Sequence, residues 1–134
     1  MHRVLLPLLA IGLSGCVGTD PGHLTQTDWV LVELNGQAVP KLPHPATLHF
    51  EDGHVSGSNG CNRYHGTYAF DPAARSLHFG RVASTMMACV NGMQVERGFM
   101  AALATTDGYT LRADELTLDR AQVPMARFEV LSAP

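Results

Sequence analysis

Through most of the chain, apolar residues recur at every second position in short runs, the period of a strand with one buried face. Residues 29–34 (WVLVEL) close on Asn35-Gly36, a dipeptide suited to a tight hairpin turn. Thr47–Glu51 and His54–Ser58 flank Asp52-Gly53. A two-residue turn there pairs Glu51 with His54, Phe50 with Val55 and Leu48 with Gly57. That register places Leu48, Phe50 and Val55 on one face and His49 and Ser56 on the other. Residues 64–70 carry Tyr64, Gly66, Tyr68 and Phe70 at the same period, and Asp71-Pro72 turns the chain into Ser76–Phe79, with Leu77 and Phe79 inward. Residues 109–112 and 115–119 pair around Ala113-Asp114, setting Leu111 against Leu116 and Tyr109 against Leu118. A last strand covers 127–131. Pro40, Pro43 and Pro45 leave a loop without strand potential.

One segment changes period. In 91–105 (NGMQVERGFMAALAT), Val95, Phe99 and Leu103 fall at helical spacing, and Asn91 with Gln94 has the form of a capping box. Gly98 weakens this helix by about 1 kcal/mol relative to alanine, or marks close packing on the sheet. Met86, Met87, Met93 and Met100 are read as core filler, since methionine adapts to irregular gaps. Seven or eight short strands with one helix predict a mainly β fold: a strongly bent antiparallel sheet or small, partly open barrel, with the helix covering an edge or end.

The first residues follow a different logic. Arg3 is the only formal charge in 1–15, and residues 4–13 form an apolar run of ten. As a helix that run spans about 15 Å, roughly half a bilayer core, which suits an export signal and not a membrane anchor. It ends in Leu13-Ser14-Gly15-Cys16, which resembles a bacterial lipobox. The resemblance implies cleavage before Cys16 and a lipid on its sulfur, with membrane attachment through the acyl chains. Val17 in place of an aspartate favours, by likeness to enterobacterial lipoproteins, the outer membrane. The expected organisation is a signal peptide at 1–15, a lipidated tether at 16–24 and one periplasm-facing domain at 25–134. Fully extended, the residues between Cys16 and Leu24 reach about 30 Å.

Export settles how the other two cysteines are read. Cys61 and Cys89 form an even pair in an oxidising compartment, so a disulfide is expected. A catalytic thiol, Cys61 with His65 as base, is the rival; it would have to stay reduced where oxidation is favoured. The formal net charge of -3, with no cluster of basic residues, excludes a nucleic-acid binder as the natural reading.

Two segments carry a family resemblance: 57–68 (GSNGCNRYHGTY) and 83–89 (ASTMMAC), supported by Trp29-Val30-Leu31, Asn35-Gly36 and Glu96-Arg97-Gly98-Phe99. Together they are similar to the META domain family of heat-shock-associated, HslJ-like bacterial lipoproteins, over about residues 25–130. The resemblance implies a compact antiparallel barrel-like fold with one helix and a link to envelope stress, antibiotic tolerance or motility. It implies no reaction. Met86 stands where relatives often carry a basic residue, and His65 where a small polar residue is common.

The candidate binding loop is Asn59, Asn62, Arg63, Tyr64 and His65, whose glycine-rich turn and donor groups suit an anionic ligand. The competing structural reading has the asparagines satisfying turn backbone and Arg63 paired to a carboxylate. Histidines 23, 44, 49, 54, 65 and 78 show no ligand spacing for a metal, and the acids at Glu51-Asp52 and Asp114-Glu115 fall in hairpin turns. No catalytic residue, cofactor or metal is expected. The function read from the sequence is that of a monomeric, non-enzymatic envelope lipoprotein that binds an unidentified envelope protein or small ligand. Two alternatives stand beside it. One is a lipocalin-like carrier with a cavity lined by Tyr64, Tyr68, Phe70 and Leu111; the other is an inhibitor of an envelope-attacking hydrolase acting through the loop at 41–46.

Overall fold

The computed structural model describes Gly12 and residues 24–131; the rest of the expected signal peptide, Cys16 and the expected tether up to His23 lie outside the described residues. Among the described residues the elements run in the order β1 (Asp28–Leu34), β2 (Gln37–Ala38), β3 (Thr47–Glu51), β4 (His54–Ser58), β5 (Arg63–Asp71), β6 (Ser76–Phe79), β7 (Ala83–Ser84), α1 (Met93–Thr105), β8 (Gly108–Arg112), β9 (Glu115–Arg120) and β10 (Val123–Val130). Eight of the strands, in the order β1-β3-β4-β5-β6-β8-β9-β10, close on themselves because β10 also pairs with β1. Closure removes the exposed sheet edges that an open antiparallel sheet would carry. β2 and β7 are two-residue additions against β1 and β5.

The hairpins form where turn residues and alternation agree. Asn35 and Gly36, and Asp52 and Gly53, take positive φ, as the tight turns require. The expected pairs Glu51–His54, Phe50–Val55, Leu111–Leu116 and Tyr109–Leu118 are all present. Leu48, Phe50 and Val55 are buried, and His49 and Ser56 face the other way. The barrel is filled by Trp29, Phe50, Phe99 and Phe128 with Leu24, Leu48, Leu77, Leu103, Leu116 and Leu118, all essentially without exposed surface.

Two expectations shift. β10 begins at Val123, four residues before the predicted start, and tolerates Pro124 because its register slips between Pro124 and Ala126. The helix begins at Met93 with Gly92 as its cap, and no side chain caps it, so the Asn91–Gln94 box does not form. Gly92 is held there by space: a Cβ would stand 2.1 Å from the Gly60 carbonyl oxygen.

Strand directions divide the barrel into two ends. The entry to β1 at Leu24, the turns at Asp52-Gly53 and Ala113-Asp114, and the exit at Leu131 share one end, tied by Leu131 N–H to Asp28 O at 2.7 Å and Val130 N–H to Asp114 O at 3.2 Å. The opposite end carries Asn35-Gly36, the 59–62 loop and the start of α1. The helix lies across that end, with the Phe99 ring 5.4 Å from Tyr64 and 6.2 Å from Phe128.

Candidate functional site

The 59–62 loop leaves β4 and re-enters at β5, so strand pairing fixes both of its ends. Asn59 shapes it: its Oδ1 accepts from the backbone N–H groups of Cys61 at 3.2 Å and Asn62 at 2.7 Å, while Asn59 N–H donates to Asn62 O at 2.9 Å. Short polar side chains compete for backbone groups in this way wherever the chain turns without a ladder. Asn62 then reaches across to the segment after β7. Its Oδ1 accepts from Met87 N–H at 2.7 Å and Thr85 Oγ1 at 3.0 Å, and its Nδ2 donates to Met87 O at 3.1 Å. Cys61 and Cys89 are joined, as expected, with Cα atoms 5.7 Å apart, so the two segments are tied twice.

The helix supplies the third component. Glu96 Oε1 accepts from Asn59 Nδ2 at 3.4 Å and Asn62 Nδ2 at 3.3 Å, and Asn59 Nδ2 also donates to Ser84 Oγ at 3.0 Å. Glu96 Oε2 is buried without a hydrogen-bond partner among the described residues. In the sequence, Glu96 is read only as part of the family segment 96–99. The available signal was its helical position beside Leu103, at the edge of the arc that Val95, Phe99 and Leu103 bury, where a carboxylate has to meet donors or water.

The five residues of the candidate binding loop therefore divide. Asn59 and Asn62 are buried and spent on internal hydrogen bonds. Tyr64 is buried too: its hydroxyl donates to Thr47 O at 2.6 Å, and burial pushes its ionisation far above the usual tyrosine range. Only Arg63 and His65 face solvent. Arg63 forms no ion pair among the described residues, which corrects the expectation that it pairs with a carboxylate. The polar loop is a structural joint whose outward face is cationic.

Met86 and Met87 also depart from expectation. They are 94% and 65% exposed, with Val90 at 97%, so they are not core filler; Met100 is, packing against the core. Asn62 and the disulfide hold the backbone of this segment at the surface and leave its side chains outside. In the 41–46 loop, Leu42 packs on the core and Ala46 is buried. The residues expected to line an apolar cavity are consumed in packing: Tyr64 on Phe99, Tyr68 on Phe50 and Phe70 on Tyr109, with Leu111 against the core. They line neither of two open grooves. One, of about 650 Å³, is polar, with Arg75, Asp107, Tyr109 and Asp119 in its wall. There burial raises the Asp119 carboxyl above its ordinary range against the opposing hydrogen bond from Thr110. The other, of about 350 Å³, runs between Leu34, Val39 and Val95.

Charged side chains elsewhere pair on the barrel wall. Arg127 reaches Glu33 at 3.1 Å, Glu129 at 3.3 Å and Glu115 at 3.5 Å. His49 meets Asp28 and, at 3.4 Å, Glu51. The Asp28 hydrogen bond raises the imidazole's proton affinity, partly offset by desolvation.

The META domain family model matches residues 22–131. The chain belongs to the META domain family. Solved structures carry the same barrel. A protein from Burkholderia xenovorans solved by NMR is 30% identical, with a TM-score of 0.64 over 82% of this chain and 85% of that one. A second NMR structure is 25% identical, with a TM-score of 0.66 over 82% and 93%. A DUF4847 family protein from Bacteroides vulgatus shares the META fold at 17% identity, with a TM-score of 0.62 over 80% and 94%. No curated protein matches.

Proposed function

We propose that this META domain is the periplasmic part of a lipid-anchored envelope protein that acts by binding, without catalysis. The observation that carries the reading is the order of features at the front of the chain: Arg3, ten apolar residues, small residues and Cys16. An exported chain also accounts for the fate of the other two cysteines, which form a structural bond and leave no thiol for chemistry. Asn59 and Asn62 are committed to holding the loop, which leaves Arg63, His65 and the exposed segment beside them to meet a partner. We place the anchor in the outer membrane, on Val17, and the physiological role in envelope stress or antibiotic tolerance, on the family resemblance.

Metabolic labelling with a clickable fatty acid tests this directly. Label on the full-length chain, in the outer-membrane fraction, and its loss in Cys16→Ala, is the expected result. An unlabelled wild-type chain in the soluble periplasm would overturn the anchored reading.

A further inference from the structure

The 85–90 segment is the most exposed apolar feature among the described residues, yet its backbone is fixed. Met87 is held through both its N–H and its carbonyl by Asn62, and Cys89 is covalently tied. A pinned loop that projects Met86, Met87 and Val90 has already lost the freedom that docking would otherwise remove. Methionine pairs at a surface also accommodate differently shaped apolar sockets.

The Glu96 carboxylate that approaches the segment from the helix is taken up by Asn59 and Asn62, which leaves basic side chains to set its outward charge. Thr85 N–H donates to the Arg63 carbonyl at 3.0 Å, and Arg63 N–H donates to Thr85 Oγ1 at 3.2 Å, so Arg63 flanks the tip directly. Arg81 lies on the segment leading into β7, which pairs with β5 through Ala83 and His65. Between Asp52 and Glu96 the only acidic residue is Asp71, and Asp71 lies at the far end of β5. Arg63 and Arg81 are exposed and form no ion pair among the described residues.

Position decides between partners. The chain enters the barrel at Leu24, at the end opposite the tip, and no more than about 30 Å of extended chain separates Leu24 from Cys16. On the anchored reading, the barrel stands with its entry end toward its own membrane and the tip away from it. We infer that Met86, Met87 and Val90, with Arg63 beside them and Arg81 further back on the approach to β7, form a docking tip for a periplasm-exposed protein that presents an apolar socket edged by carboxylates. The orientation of the tip and the compartment of its partner rest on the proposed function.

In-cell photo-crosslinking of the full chain tests it, with the photoreactive residue at position 86 or 90 and, as control, at Asp52. A protein adduct of one discrete mass from 86 and 90, absent from 52, is expected. The crosslinked partner peptide should lie in an apolar patch with Asp or Glu at its edge. Arg63→Glu with Arg81→Glu should lower the yield about tenfold, the scale of losing charge-assisted contacts, with an unchanged melting temperature. Replacing the partner's carboxylates with lysine should restore it. Phospholipid adducts, an adduct of twice the chain's own mass, no discrete adduct, or a yield indifferent to the charge reversal would each overturn the proposal. Fractionation of the same cells reports anchoring separately: a soluble chain that keeps its adduct sinks the anchor and not the tip, and an anchored chain without one does the reverse.

Discussion

Asn62 sits where three segments meet: from its own loop its carboxamide bonds Thr85 and Met87 on the segment after β7 and donates to the Glu96 carboxylate on the helix. Removing it would strand the Met87 backbone groups and a Glu96 contact at once. Asn62→Ala is expected to cost about 2–4 kcal/mol in urea unfolding, because each buried group left unpaired costs about 1–3 kcal/mol. Glu96→Gln, which keeps an acceptor oxygen for both amides, should cost clearly less than Glu96→Ala. His49 carries a pH dependence. Its folded-state proton affinity is raised by Asp28, so its contribution is fully present below about pH 6.5 and is lost as pH rises through the higher folded value. The effect is small, since the pair is half exposed and screened. Thermal unfolding between pH 5.5 and 8.5 should show a stability loss on the alkaline side that His49→Gln removes. Sequence pattern could place these residues but not partner them: His49 read as solvent-facing, and nothing local joins it to Asp28, which strand pairing sets opposite it.

At the scale of elements, agreement between two signals decided what could be read. The hairpins at Asp52-Gly53 and Ala113-Asp114 have both a turn and an alternating pattern, and their registers follow. The start of β10 has Pro124 and a register slip, which hide the period. Met86 and Met87 departed from expectation because composition says what can fill a core, while Asn62 and the disulfide determine which side of the backbone meets it. The start of the helix turns on Gly92 for a reason outside local propensity. Gly92→Ala would drive a methyl into the Gly60 backbone at 2.1 Å, whereas Gly98→Ala meets only the end of the Leu34 side chain at 2.5 Å and gains about 1 kcal/mol of helix propensity. Chemical denaturation should therefore rank Gly92→Ala as much the more damaging.

For the whole molecule, closure of eight staves and one disulfide act on the same domain. The Cys61–Cys89 bond spans a sequence separation of 28, for which loop-closure entropy gives about 3–4 kcal/mol. Cys61→Ser with Cys89→Ser should lose about that much in urea unfolding. The redox compartment, the orientation of the barrel and the direction the Met86 tip faces all depend on the proposed export, processing and acylation of the chain. Intact mass spectrometry of the protein purified from its own membranes, before and after reduction, reads all of this together. The expected species is a chain beginning at Cys16, carrying the mass of diacylglycerol and an amide-linked acyl group, and gaining two hydrogens on reduction. A chain without lipid, or one whose mass is unchanged by reductant, would contradict that expectation.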